Sequence, residues 1–247
     1  MVMKKILITG HKGFIGSYLW NEMKNTPGMH DWQLDGIDFP DDIGDFKTDE
    51  IYDVVIHLAA FANLRGSFLN PDVFWENNVV KSQPIFDYCK ENNIRLLYAS
   101  SAGAHGWWQN PYAITKKVNE IQAPPNSVGM RFFNVWAEQG SRSDMLYRML
   151  QEDTARYITK HKRDYIHVRD IQRAIFTLML YPEYRGVIDI GSGKAIPVID
   201  IAKAMGRDLP IKEDTPGEPD SLCADIGNLL DMGWHPSINM MDQFNQT

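Results

Sequence analysis

A tyrosine and a lysine four residues apart have a spacing that suggests chemistry. In Tyr112-Ala-Ile-Thr-Lys116 the phenol and the ammonium group would lie on one face of a helix. A free tyrosine has a pKa of about 10 and is a poor base at neutral pH, but a nearby cation favours the phenolate. The pair is therefore suited to taking and returning a proton. The spacing alone is common, and a pair of surface residues is the alternative interpretation.

The segment upstream of this pair gives it a context. Leu97 to Gly106 reads as an apolar strand that ends in small hydroxyl residues, Ser100 and Ser101. Ligands of open α/β sheets bind at the carboxyl ends of the strands. A serine there could donate a hydrogen bond to the hydroxyl group that Tyr112 deprotonates. Ordinary capping of a turn is the alternative role for the two serines.

Three glycines near the start of the chain predict an anion-binding turn. The run Gly10-His-Lys-Gly13-Phe14-Ile15-Gly16 lies between a predicted strand and a predicted helix. Glycines there permit a tight turn and let the backbone approach a pyrophosphate at the helix N-terminus, where free N–H groups favour anions. A glycine-rich turn without a ligand is the alternative, and the strand–turn–helix context argues against it.

A carboxylate is expected at the end of the second strand, where it would bind the ribose of a dinucleotide. Asp38 fits this place because Ile37 continues the apolar stretch up to it, and Asp35 is the second choice. An acid at this point would repel a 2′-phosphate, which favours NAD over NADP. Asp45, next to Phe46, is a candidate for the edge of the adenine.

The order of the predicted elements indicates a doubly wound α/β fold with a parallel sheet of the Rossmann type. Helices are predicted over 14–24, 71–92 and 112–121, and Pro84 should kink or split the second. We expect a dinucleotide-binding domain over residues 1–134, to which strands near 164–190 return, and an interleaved small substrate lobe over 135–247. Strands are predicted at 4–9, 53–58, 94–100, 127–133 and 186–190.

Composition narrows the class of protein. The 247 residues carry a formal net charge of −7 with scattered basic residues, which argues against nucleic acid as a partner. The apolar run near the start is too short for a signal peptide or a membrane span. The two cysteines, Cys89 and Cys223, lie far apart, as in a protein of a reducing compartment. We expect a cytoplasmic protein, and the histidines lack the spacing of metal ligands.

The chain as a whole resembles the NAD-dependent epimerase/dehydratase family of extended short-chain dehydrogenases/reductases. The match covers almost the whole chain. Short segments such as Tyr98-Ala-Ser-Ser-Ala and Lys162-Arg-Asp-Tyr are most similar to those of the heptose and hexose epimerases. The matching segments are Thr9-Gly10-x-x-Gly13-Phe14-Ile15-Gly16, Val55 to Ala60, Asn78-Val79, Tyr98 to Ser101, Asn110-Pro111-Tyr112-x-x-x-Lys116, Arg131 to Asn134, Arg163 to Val168, Ile188 to Gly193, and Ala224-Asp225.

The resemblance implies a role for each matching position. Ser101 corresponds to the catalytic serine or threonine, Tyr112 to the acid/base, and Lys116 to the residue that holds the nicotinamide ribose. Asn134 and Arg163 correspond to residues that contact the diphosphate region of a nucleotide sugar. Residues implied to line the NAD site are Gly10, Gly13, Phe14, Ile15, Gly16, Asp38, Asp45, Leu58, Ala59, Ala60, Asn78, Tyr112 and Lys116.

Two departures from the family pattern bear on the reaction. Many relatives carry a phosphate-binding arginine where this chain has Asp214 and Thr215, so Arg163 would be the main clamp, aided by Lys160 or Lys162. The 4,6-dehydratases usually carry Asp-Glu after the catalytic hydroxyl residue, where this chain has Ala102-Gly103. The second departure favours an epimerase or a ketoreductase. The chain is also short, so a helix and a strand after Asp38 should be abbreviated or missing.

Together these features predict an NAD-dependent epimerase of a nucleotide-activated sugar that works through a transient ketone. An NAD(P)H-dependent ketoreductase is the nearest alternative, followed by a 4,6-dehydratase and by a non-catalytic dinucleotide-binding protein. By the same resemblance, the helices predicted over 71–92 and 112–121 would form the interface of a homodimer.

Overall fold

Short apolar runs of the sequence become the strands of the protein. The computed structural model describes residues 4–28, 32–213 and 217–245. The strands, in chain order, are Lys5–Thr9 (β1), Gln33–Ile37 (β2), Val54–His57 (β3), Arg95–Ser101 (β4), Ser127–Phe132 (β5), Asn134–Trp136 (β6), Ile158–Thr159 (β7), Lys162–His167 (β8), Gly186–Ile190 (β9), Ala195–Pro197 (β10), Ile211–Lys212 (β11) and Ser221–Leu222 (β12).

Helices connect most of these strands. The α-helices are Phe14–Asn25 (α1), Leu64–Leu69 (α2), Pro71–Trp75 (α3), Gln83–Glu91 (α4), Pro111–Gln122 (α5), Leu146–Gln151 (α6), Val168–Leu180 (α7), Val198–Ala204 (α8) and Gly227–Asp231 (α9). Within the ranges that the structure describes, Ile43–Asp45, Ala102–Gln109 and Met240–Asn245 are 3₁₀ helices, and Glu76–Val80 is a π-helix.

The chain divides into two units, each built from two stretches of sequence. The first consists of Met1–Arg131 and Ile175–Ile188, and the second of Phe132–Ala174 and Asp189–Thr247. The larger unit is organised around a six-stranded parallel sheet with the strand order β2-β1-β3-β4-β5-β9. This order, in which β1 lies between β2 and β3, is that of a Rossmann-type sheet, as the sequence predicts.

The central strands are apolar on both faces because helices cover both sides of a parallel sheet. Ile6, Ile8, Val55 and Ile56 are each fully buried. The connection between β2 and β3 is abbreviated, as the shortness of the sequence predicts. It contains only the 3₁₀ turn Ile43–Asp45 among its helical segments. The sheet therefore keeps the strands that lie beside β1 while the usual intervening helix is reduced to one turn.

The long helix predicted over 71–92 is broken. α3 begins at Pro71, with Asn70 at the N-cap position, and passes into the π-helix Glu76–Val80 before α4 starts at Gln83. Pro84 lies in the first turn of α4. The N–H groups of a first turn have no acceptor within the helix, so the absence of an N–H at the proline breaks no helical hydrogen bond. The break therefore occurs just before the proline, in keeping with the effect predicted for it.

The smaller unit contains a second sheet, which corrects one expectation. β8 (Lys162–His167) pairs with β6, β10 and β12 in this sheet. Of the late strands expected near 164–190 in the large sheet, only β9 lies there. The side chain of Asp164, on β8, stabilises the neighbouring turns. It accepts hydrogen bonds from the N–H groups of Ser192, Gly193 and Ala224 at 2.6, 2.9 and 3.1 Å, so it binds the turns beside β8.

Candidate active site

The glycine turn makes close backbone contacts that leave no room for side chains at two of its glycines. Gly10 has a φ of +73°, and a Cβ atom at this residue would lie 2.6 Å from the backbone nitrogen of Ala59. A Cβ atom at Gly16 would overlap the carbonyl oxygen of Gly10. Gly13 is the N-cap of α1 and has no side chain with which to cap the helix. The turn therefore presents uncapped N–H groups at a helix N-terminus and suits the pyrophosphate of a dinucleotide.

Asp38, and not Asp35, lies at this turn. The Asp38 Oδ2 atom accepts a hydrogen bond from the backbone N–H of Lys12 at 2.7 Å. Asp35 lies within β2, and its Oδ2 atom accepts from the Tyr52 hydroxyl at 3.0 Å. The structure thus brings Asp38 to the glycine turn, while Asp35 serves a contact elsewhere.

The end of β3 packs directly against the glycine turn. The N–H of Leu58 donates to the carbonyl of Thr9 at 3.1 Å, and the N–H of Ala59 donates to the hydroxyl of Thr9 at 3.3 Å. Ala60 continues this segment. Asp45, by contrast, is exposed and lines a cavity of about 390 Å³ together with Asp42 and Lys81, which form an ion pair.

Asn78 lies in the π-helix and braces two other segments. It is fully buried, and its Oδ1 atom accepts from the N–H of Phe61 at 2.8 Å. Its Nδ2 atom donates to the carbonyl of Phe61 at 2.9 Å and to the Thr115 hydroxyl at 3.1 Å. Asn78 therefore fixes the loop after β3 and the middle of α5, and π-helical turns are frequent at functional sites.

His57 is a buried polar residue to which the sequence analysis gives no specific role. Its Nδ1 atom lies 2.7 Å from the Thr9 hydroxyl and its Nε2 atom 2.9 Å from the Ser82 hydroxyl, which in turn donates to the carbonyl of Asn78. Burial, together with the charge of Lys116, lowers the pKa of His57 to about 3. The imidazole is therefore neutral and acts as a hydrogen-bonding link from β1 to the π-helix.

The three predicted catalytic residues lie on two adjacent elements. β4 ends at Ser101, whose hydroxyl accepts from the N–H of Gly103 at 3.1 Å and so caps the following 3₁₀ helix. α5 begins at Pro111, and the side chain of Asn110 caps it by accepting from Ala113. Tyr112 therefore occupies the first turn of α5, with its ring packed against Phe74.

Lys116 lies beside the ring of Tyr112 on the same helix. Its Nζ atom is 5.9 Å from the centre of that ring and donates a hydrogen bond to the carbonyl of Ala99 at 2.8 Å. The residue is only 3% exposed, and burial lowers the pKa of its amine to about 8. The amine is still largely protonated at neutral pH, so a cation is available to favour the phenolate of Tyr112.

The two residues implied in substrate binding belong to the smaller unit. Asn134 lies on β6 opposite Tyr165 of β8. Arg163 is buried, and its guanidinium donates to the carbonyl of Pro219 at 2.7 Å and to the carboxylate of Glu218 at 3.1 Å. Internal acceptors therefore already bind Arg163. Lys160 is paired with Glu213, while Asp214 and Thr215 lie outside the described residues.

Among residues 4–28, 32–213 and 217–245, no group of three or more histidine, cysteine, aspartate or glutamate side chains could hold a metal ion. Within the same ranges, no helix is long and apolar enough to cross a membrane.

The sheet order and the glycine turn define a Rossmann-type dinucleotide-binding fold, and the Ser–Tyr–Lys set gives it the residues of a short-chain dehydrogenase/reductase. Residues 6–191 match the model of the NAD dependent epimerase/dehydratase family. The chain belongs to this family, and NAD is its cofactor.

Individual relatives are distant but match over most of their length. The chain is 25% identical to protein CapI of Staphylococcus aureus, over 98% of this chain and 96% of that protein. It is 24% identical to the ADP-L-glycero-D-manno-heptose-6-epimerase of Fusobacterium nucleatum, over 82% of this chain and 79% of that protein. The structure of MoeE5 in complex with UDP-glucose and NAD superposes with a TM-score of 0.84 at 22% sequence identity. The superposition covers 98% of this chain and 96% of that chain.

The match to CapI also shows that the chain is short in its interior. That alignment extends over 322 positions, whereas this chain has 247 residues. Because both proteins are covered almost from end to end, the missing positions are internal. This agrees with the abbreviated connection between β2 and β3.

Proposed function

We propose that this protein is an NAD-dependent epimerase of a nucleotide-activated sugar. The observation that carries the proposal is the arrangement of Tyr112 and the buried Lys116 on α5, next to the strand end that holds Ser101. Binding of a dinucleotide does not by itself require an acid/base residue, so this arrangement argues for catalysis. The heptose 6-epimerase among the relatives supports the choice of reaction.

The residues around the glycine turn fit the cofactor. The overlap that a side chain at Gly16 would cause, and the carboxylate of Asp38 at the turn, are features of a site shaped for a pyrophosphate and a ribose. We assign to the NAD site the residues Gly10, Gly13, Phe14, Ile15, Gly16, Asp38, Asp45, Leu58, Ala59, Ala60, Asn78, Tyr112 and Lys116.

The proposed reaction is a reversible oxidation of one sugar carbon. The phenolate of Tyr112 takes the proton of the sugar hydroxyl, while the hydroxyl of Ser101 donates a hydrogen bond to the same oxygen. The protonated Lys116 favours the phenolate before the transfer. Bound NAD supplies the hydride acceptor and then the hydride donor. Rotation of the transient ketone would present its other face, so that the hydride returns to the carbon with inverted configuration while Tyr112 returns the proton to the oxygen.

The residues after Ser101 favour epimerisation over dehydration. Alanine and glycine have no side-chain group that could transfer a proton to eliminate water. Ala102 is buried, and the N–H of Gly103 is bonded to the Ser101 hydroxyl. Asn134 and Arg163 are our candidates for contacts with the diphosphate region. Arg163 would have to release at least part of its bonding to Glu218 to serve that role.

The test is proton NMR of the purified protein with catalytic NAD and a panel of nucleotide sugars. A new anomeric signal without net NADH identifies an epimerase and its substrate, whereas stoichiometric consumption of NAD(P)H identifies a ketoreductase.

Tyr112→Phe should lower kcat by roughly 10²–10⁴-fold and leave NAD binding intact, since it removes only the proton-transfer group. A variant that keeps most of its activity would contradict the role of Tyr112.

We further propose a cytoplasmic homodimer. Large apolar side chains are exposed on neighbouring helices of the larger unit, among them Val73 and Trp75 on α3 and Ile121 on α5, and such patches mark protein interfaces. Cys89 and Cys223 are free thiols, as in a reducing compartment. Light scattering after size-exclusion chromatography should give twice the mass of one chain for the wild type. Val73→Glu should lower that mass, and a monomeric wild type would refute the dimer.

A further inference from the structure

Helix α5 carries a third residue on the face that holds Tyr112 and Lys116. Glu120 follows Lys116 by four residues, as Lys116 follows Tyr112, so the three side chains project in similar directions. The side chain of the glutamate is buried, with only 3% of its surface exposed. A buried carboxylate needs partners that offset its loss of hydration.

The partners of Glu120 come from the two strands beside the helix. Its Oε1 atom accepts hydrogen bonds from the hydroxyl of Ser100, on β4, and from Nε of Arg131, on β5, each at 2.7 Å. Its Oε2 atom accepts from a second nitrogen of Arg131 at 2.7 Å. The bidentate pair fixes the carboxylate in one orientation, and that orientation presents an acceptor to Ser100.

These contacts hold the chain on both sides of Ser101. Ser100, which precedes it, is bonded to Glu120, and the carbonyl of Ala99 is bonded to Lys116 at 2.8 Å. Beyond Ser101, a nitrogen of Arg131 lies 3.4 Å from Nδ1 of His105 in the 3₁₀ helix. The residues that surround Ser101 are thus tied to α5, the helix that carries Tyr112.

Charge keeps this arrangement in place. Burial by itself would raise the pKa of the Glu120 carboxyl, but the hydrogen bonds from Arg131 and Ser100 outweigh it and the pKa lies below its usual range. Glu120 is therefore ionised at neutral pH and acts only as an acceptor. Lys117 also contacts the carboxylate, at 3.3 Å, but from the half-exposed side of the helix.

We propose that Glu120 is a positioning residue of the active site, which sets Ser101 against Tyr112 by binding Ser100 of β4 while Arg131 fixes its carboxylate. The proposal rests on the proposed function, in which Ser101 and Tyr112 act on the same oxygen. The hydrogen bond from Ser100 to Glu120 is the contact that fixes the end of β4 relative to α5. It can be removed by itself, because the pair Glu120–Arg131 does not involve Ser100.

Ser100→Ala is the variant that tests this link, since it leaves the buried ion pair intact. Ser100→Thr restores the hydroxyl, and Lys117→Ala is the matched control, because it removes a contact of the same carboxylate without touching the strand. The measurements are kcat and KM with the sugar identified by NMR, the NAD dissociation constant, and hydrogen exchange of the peptide that covers residues 99–103.

In Ser100→Ala, kcat should fall by roughly tenfold or more, because a small displacement of reacting groups is costly, while KM and NAD binding stay within about twofold. Exchange in residues 99–103 should rise by roughly tenfold, as expected for the loss of one hydrogen bond to a charged group. Ser100→Thr should restore most of both properties, and Lys117→Ala should resemble the wild type.

An unchanged kcat in Ser100→Ala, or equal losses in Lys117→Ala, would overturn the proposal. If the wild type converts none of the sugars, the proposed function fails, and the exchange measurement then decides the inference alone. Faster exchange confined to residues 99–103 supports the positioning of this segment by Glu120, and unchanged exchange overturns it.

Discussion

Burial determines the charge of the histidine at the end of β3. His57 lies between the hydroxyls of Thr9 and Ser82, and its pKa of about 3 is far below the ordinary value of 6.5. In the unfolded chain the same side chain takes up a proton below about pH 6.5. The unfolded state thus binds more protons than the folded state between pH 6.5 and 3. Stability is therefore lost as the pH falls through this window.

His57→Gln should remove this part of the acid sensitivity. Between pH 7 and pH 5 the wild type should lose ~2 kcal/mol more of its free energy of unfolding than the variant, because protonation of one histidine favours its unfolded state by that amount. Urea unfolding at the two pH values measures the difference. Equal losses in both proteins would show that His57 is protonated in the folded state.

Residue types and local spacing reveal only part of the candidate site. Tyr112 and Lys116 share one helix, so their spacing predicts that they lie together. The contacts of His57 and Glu120 join segments that are far apart in the sequence: Thr9 is 48 residues from His57, and Ser100 is 20 residues from Glu120. No periodicity relates such pairs. A buried histidine and a buried glutamate can only be identified once the strands and helices are placed.

At the scale of elements, the turn from β1 to α1 can form only because its glycines have no Cβ atom. At Gly16 the obstacle to a side chain is the backbone carbonyl of Gly10, which cannot move without moving the turn itself. At Gly206, which follows α8, a Cβ atom would meet nothing within 4 Å, although φ is +69°. The two positions therefore separate steric overlap from simple backbone strain.

Gly16→Ala should weaken NAD binding by roughly 10- to 100-fold, because relief of the overlap costs about 1–3 kcal/mol and displaces the N–H groups that face the pyrophosphate. Gly206→Ala should cost about 1–2 kcal/mol of stability through its left-handed φ and leave NAD binding unchanged. Calorimetric titration with NAD and thermal unfolding distinguish the two effects. Normal NAD affinity in Gly16→Ala would place the cofactor elsewhere.

The elements that the sequence predicts best are those that are long and apolar. Five of the six strands of the large sheet are predicted to within one or two residues, because each is a mostly buried apolar run flanked by polar residues or glycine. The sixth, β2, is only partly buried and contains Asp35 and Gly36, so the sequence gives no bounds for it. The strands Ile158–Thr159, Ile211–Lys212 and Ser221–Leu222 have two residues each and no detectable pattern. Each pairs with a strand that is distant in the sequence, and Ser221–Leu222 lies close to Ala224, whose N–H donates to Asp164, 60 residues earlier in the chain.

For the whole molecule, the return of residues 175–188 to the larger unit completes its fold. Arg95 on β4 is buried, and burial lowers the pKa of its guanidinium to about 10. Its nitrogens donate to the carbonyls of Leu178, Tyr181 and Tyr184, at 3.3, 3.3 and 2.7 Å, at and beyond the end of α7. A late segment thus supplies the acceptors for a charge in an early strand, and β9 covers the edge of β5.

A fragment of residues 1–134, the range that the sequence suggests for a dinucleotide-binding domain, should therefore not fold by itself. It keeps Arg95 but loses the three carbonyls that bind it, and each hydrogen bond to a charged group contributes about 1.5–3 kcal/mol. It also leaves β5 as an unpaired apolar edge, which favours aggregation. The stability of a typical domain is only about 5–15 kcal/mol, so these two losses should be decisive. Circular dichroism and urea titration should show a cooperative transition for the full chain and none for the fragment. A cooperative transition in the fragment, with NAD binding retained, would show that residues 175–190 are dispensable for the dinucleotide fold.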